Sequence, residues 1–146
     1  MRQFLVFLHL AAAIFWMGGM AFMVLALRPA AHAQLQPPAR LPLMAQVLQR
    51  FFAVVIASIA VLLATGAWLL LQVRPAPPGW HAMAGLGLLM VLIFGHIYVV
   101  PYRRLRAAVA ASDWPAGGKH MGQITLLAKV NLGLGWLAIA AVMLWR

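Results

Sequence analysis

Apolar residues in this chain fall into four long blocks separated by short basic segments. The first block covers residues 3–27 and meets Arg28-Pro29. The second covers 51–73, between Arg50 and Arg74-Pro75. The third covers 80–102 and runs into Arg103-Arg104-Leu105-Arg106. The fourth covers 123–145 and carries one charge, Lys129. A helix needs about 20 residues to cross a hydrocarbon core, so each block is long enough. Lipid offers no partner to an open backbone, which makes helix the state expected for all four. Short connections favour antiparallel neighbours. The expected fold is therefore all-α and integral to the membrane. One domain over residues 1–146 forms an antiparallel bundle of four transmembrane helices.

The punctuation between blocks sets boundaries and orientation. Ala31-His32-Ala33 resembles a signal cleavage site, but the apolar run before it is well beyond the 7–15 residues typical of a signal peptide. The first block is expected to be a retained helix. The Pro-rich stretch 36–42 reads as a linker, residues 113–118 as a turn, and Pro101 as a bend or stop. Arg28, Arg40, Arg50, Arg103, Arg104, Arg106 and Lys119 flank one side of the blocks, and only Arg2, Arg74 and Arg146 the other. The positive-inside rule then places both termini outside.

Composition narrows the classes further. Apolar residues make up 66% of the chain and charged ones 8%, which leaves no separate soluble domain. The net charge of +10 lies between apolar runs and not on one polar face, so the bilayer is the expected partner and nucleic acid is not. With no cysteine, any metal or cofactor must be held by His, Met or oxygen ligands.

Ionisable groups at membrane depth are costly, and each is a functional candidate. At 1.5 Å per residue, His9 lies roughly 10 Å below the outer surface and His96 roughly 9 Å above the inner one. Thr65 shares the depth of His9, and His81 sits at the outer mouth of the third helix. Lys129 and Ser58 come out near His96. Two clusters are expected: an outer one of His9, His81 and Thr65, and an inner one of His96, Lys129 and Ser58. Helical spacing puts His9, Trp16, Met20 and Met23 on one stripe, and Lys129, Gly133 and Trp136 on another, with Asn131 pointing elsewhere. Met17, Met20 and Met23 step by three and drift round their helix; most methionines read as gap-fillers. Ala53, Ala57, Ala60, Ala64 and Ala67 form a small-residue stripe that lets a neighbouring helix approach closely.

Neutral imidazole is a common metal ligand, and histidines on separate helices can ligate a haem iron axially. Gly18-Gly19 and Gly85-x-Gly87 remove side-chain bulk where a flat macrocycle would lie. Thioethers would suit cuprous copper. Lys129, facing the interior, would balance a propionate, a quinone or another anion. The candidate cofactor-binding residues are His9, His81, His96, Trp16 and Lys129; the candidate metal ligands are His9, His81 and His96.

His9, the Trp16-x-Gly18-Gly19 pattern and Leu27-Arg28-Pro29 resemble the opening helix of the copper resistance protein D (CopD) family. Trp80-His81, His96 and Arg103-Arg104 resemble the HemJ-type haem-binding protoporphyrinogen oxidases, although Met83 stands where that pattern carries a lysine. The likeness covers about half the chain. It implies a four-helix protein of the bacterial inner (plasma) membrane that either handles copper or binds haem b and carries out redox chemistry. The first expectation is a haem b redox protein of the membrane-oxidoreductase type, with a quinone or other redox partner. The alternatives are copper transport or homeostasis, and a small accessory subunit in a homo-oligomer or larger membrane complex.

Overall fold

A computed structural model describes residues 1–145, so Arg146, counted above among the outer charges, lies outside the described residues. Four helices are present: α1 (Arg2–Gln34), α2 (Pro37–Gln72), α3 (Pro78–Ala110) and α4 (Trp114–Leu144). There is no strand among the described residues. Each helix is long and apolar enough to span a bilayer, which makes this an all-α integral membrane fold.

The helices overrun the apolar blocks, and prolines explain how. A proline inside a helix lacks its N–H and crowds the carbonyl four residues back. In α1 a π-helical turn at Met23–Leu27 loosens the ladder ahead of Pro29, and the helix continues to Gln34. In α3 a second π-helical turn, Tyr98–Tyr102, contains Pro101, and the helix continues to Ala110. Pro101 therefore does not end α3. The 36–42 linker is also corrected: only Leu35 and Gln36 separate α1 from α2. Pro37 opens α2 at a position where no N–H is required. Likewise the 113–118 turn is mostly helix. Asp113 caps α4 by accepting a hydrogen bond from the Ala116 N–H at 3.2 Å. Ala111 and Ser112 make the reversal just before it.

At 31 to 36 residues each, the helices measure about 46–54 Å, against a hydrocarbon core of about 30 Å. The excess lies at the arginine-rich end, and the tightest packing is there. Leu41, Met44, Leu48, Leu105 and Ile124 are all essentially inaccessible. The other end is held by small residues: Ala12, Thr65, Gly79, Gly135 and Ala138.

α1 packs chiefly on α2, and α3 on α4, giving two antiparallel hairpins. Their buried positions recur. Leu41, Leu48, Phe52 and Val55 of α2 are matched 76 residues later by Gly117, Ile124, Ala128 and Asn131 of α4. Met20, Val24 and Ala31 of α1 are matched 77 residues later by Ile97, Pro101 and Ala108 of α3. The two π-helical turns fall close to the same spacing, 75 residues apart. Several buried positions of the two hairpins thus recur at a spacing of 76 or 77 residues.

The alanine stripe of α2 does not serve the bundle. Ala53, Ala57, Ala60, Ala64 and Ala67 all face outward, because Phe52, Val55, Ser58 and Thr65 occupy the inner face. Close approach occurs instead at Gly79, where an added Cβ would overlap the Ala141 and Trp145 carbonyl oxygens. The Gly79 N–H donates to Trp145 O at 3.0 Å. Backbone cannot move aside cheaply, so Gly79→Ala is expected to cost about 1–3 kcal/mol by overpacking. Gly18 has open space around it, and Gly18→Ala should be neutral or stabilising. Thermal unfolding of the two variants in detergent checks this; equal midpoints would contradict it.

Candidate functional site

The His9 site is built where α1 packs on α2. His9 is half-buried, and its Nδ1 lies 2.8 Å from the Thr65 hydroxyl oxygen. Thr65 is itself buried and donates its one hydroxyl proton to the Val61 carbonyl at 2.6 Å. Its oxygen must then accept from His9, which places the imidazole proton on Nδ1 and leaves the Nε2 lone pair free. Gly66 makes the room: a Cβ there would stand 3.2 Å from His9 Cε1. A neutral imidazole with one nitrogen anchored and the other open is the form in which histidine binds metals. The first hairpin alone carries this arrangement, since the position matching Thr65 in α4 is Ala141.

His81, expected in the same cluster, is not brought to it. His81 and His96 both lie on the outward surface of α3. Among the described residues no group of three or more His, Asp or Glu side chains comes together. Gly19 faces the Phe51 ring, while Gly85 and Gly87 have nothing near them.

The inner cluster is corrected in the same way. Lys129 and Trp136 face outward, and Ser58 is buried without either His96 or Lys129 beside it on the inner face. Asn131, expected to point elsewhere, takes the interior position at 1% exposure. Side-chain reach explains the exchange. A lysine can run its four-carbon stem along the apolar surface towards the membrane interface. Asparagine has no such reach and must find its partner inside. Its Nδ2 donates to the Met90 carbonyl at 3.2 Å and ties α4 to α3.

Between the hairpins lies a small cavity of about 10 Å³, the space of a single water-sized body. Trp16, Met20, Met23, Phe52, Phe94 and Asn131 are among the residues lining it. Trp16 and Phe52 both meet Phe94 edge-on, with centroids 6.3 and 5.2 Å apart. Met20 and Met23 converge here because residues three apart share a helix face. Met17, one step earlier, lies instead against Gly135.

Residues 45–145 match the family model for copper resistance protein D. The chain belongs to that family. The match spans most of α2 and all of α3 and α4, so it includes Thr65 and Asn131, while His9, Trp16, Met20 and Met23 precede it. No curated protein and no solved structure matches the chain. Membership of a copper resistance family favours the copper alternative over haem, and the bilayer is its surrounding medium.

Proposed function

We propose that this family member handles copper in a bacterial-type inner membrane, as a carrier or homeostasis component, with His9 as its outer copper-binding group. The reading rests on the His9–Thr65 pair. A hydroxyl committed to Val61 O holds the imidazole in the tautomer that exposes Nε2. Family membership supplies the choice of metal. The residues present suit the cargo, since imidazole and thioether are both good ligands for copper in its reduced state. Both termini outside would put His9 in the outer half of the bilayer, where an ion from that side meets it first. A topology reporter fused after Trp145 is expected to be active only outside; activity in the cytoplasm would reverse the orientation.

The haem b reading gains no support from this geometry. A bis-histidine haem needs a second imidazole facing the first, and His81 and His96 both face away from the bundle. The central cavity is also far smaller than a macrocycle.

Thr65→Val is the specific test, because it keeps shape and removes only the hydroxyl. Loss of such a supporting hydrogen bond lowers metal affinity about 10- to 100-fold. Silver ion, a redox-silent stand-in for cuprous copper, should bind Thr65→Val that much more weakly by titration calorimetry. An unchanged affinity would remove Thr65, and with it the oriented imidazole, from the site.

A further inference from the structure

Asn131 stands where the repeat of the fold calls for an apolar residue. Its counterpart in the first hairpin is Val55, and both positions are essentially inaccessible, at 1% and 0%. Only the amide NH₂ can face the Met90 carbonyl, so the orientation of the side chain is fixed by chemistry. Its Oδ1 is consequently turned away from Met90, and no donor among the described residues reaches it. A buried carbonyl without a donor is costly, and a native structure keeps one for a reason.

Asn131 borders the central cavity, where its companions include the thioethers of Met20 and Met23 and the indole of Trp16. A water molecule needs two to four polar partners. The strong polar group that Asn131 brings to this cavity is one acceptor, Oδ1, and the sulfurs beside it accept only weakly. A soft monovalent cation fits that set better: thioether sulfur suits it, and the amide oxygen adds a weaker donor beside an aromatic wall. A single positive charge is also the least that an interior without carboxylates would have to hold.

We propose that the cavity between the hairpins is a second, intramembrane station for a cuprous ion, with Met20, Met23 and Asn131 Oδ1 as its ligands. The proposal rests on the copper reading above and extends it inward. Met20 follows His9 by eleven residues, about 16 Å along α1, so the ion would pass from an imidazole near the outer surface to sulfur between the hairpins. No electron is transferred in this step; the ion changes ligands and keeps its charge.

The test is copper X-ray absorption with metal counting, on the full chain in lipid nanodiscs loaded anaerobically with cuprous ion. The wild-type protein should hold two ions and show both nitrogen and sulfur neighbours. The double variant Met20→Leu/Met23→Leu, close to volume-conserving and so expected to fold, should lose one ion and the sulfur shell while keeping the nitrogen shell. Asn131→Leu should retain the fold and weaken the sulfur-bound ion about tenfold or more. A wild-type spectrum with nitrogen neighbours alone would overturn this station and leave the His9 site standing. A sulfur shell that survives the double variant would also overturn it, because other methionines would then be its source. A wild-type protein that binds no copper would overturn both readings.

Discussion

His9→Ala is expected to abolish copper flux through the protein and to remove the nitrogen neighbours of bound copper. The fold should survive. Thr65 keeps its bond to Val61 O at 2.6 Å without the imidazole, so no buried hydroxyl is left wanting an acceptor. The cavity left behind opens on a half-exposed surface that lipid can fill. Helix content and thermal midpoint should therefore stay near the wild-type values while binding is lost. His9→Gln separates geometry from chemistry. Glutamine is of similar reach and can bond Thr65, but its amide is a weaker copper ligand than imidazole and brings no ring nitrogen, so it should restore packing and not flux. Full flux in His9→Ala would take His9 out of the pathway.

The second large effect concerns stability, at Phe52. This ring is 4% exposed and packs edge-on against Phe94 at 5.2 Å and Tyr102 at 4.8 Å. A buried Phe→Ala change in a soluble protein costs about 3–5 kcal/mol. In lipid the transfer part shrinks, because the separated helices would also meet apolar surroundings. What remains is lost packing and the edge-on aromatic contacts, worth about 0.5–1.5 kcal/mol each. Phe52→Ala should therefore fall near the lower end, about 3 kcal/mol. Ile56→Ala, one turn on and facing outward, should stay within about 0.5 kcal/mol. Reversible unfolding in bicelles compares them, and equal losses would show that the 51–56 turn is not packed as described.

The number and kind of helices were readable in the sequence because lipid allows so few alternatives. Their ends were not. Pro29 and Pro101 signal a stop to any sequence rule, yet each is accommodated by a π-helical turn, whose wider ladder no composition reveals. The depth estimate brought His9 and Thr65 to one level, and the structure joins them by a hydrogen bond. The same reasoning misplaced Lys129 and Asn131. Charge alone is no reason to face inward, because a long flexible stem can run along the apolar surface and a short amide cannot. Depth also says nothing about which side of α3 a histidine occupies, and His81 and His96 share its outward side. The pairing of Met20 and Met23 was available from their spacing of three. It was obscured by Met17, which belongs to a different contact.

The most direct test of copper handling is uptake of radioactive copper into liposomes containing only this protein, with cuprous ion supplied outside. Saturable uptake is predicted, absent from protein-free liposomes and from His9→Ala vesicles of equal protein content. Uptake by wild-type vesicles no greater than by protein-free ones would contradict the account.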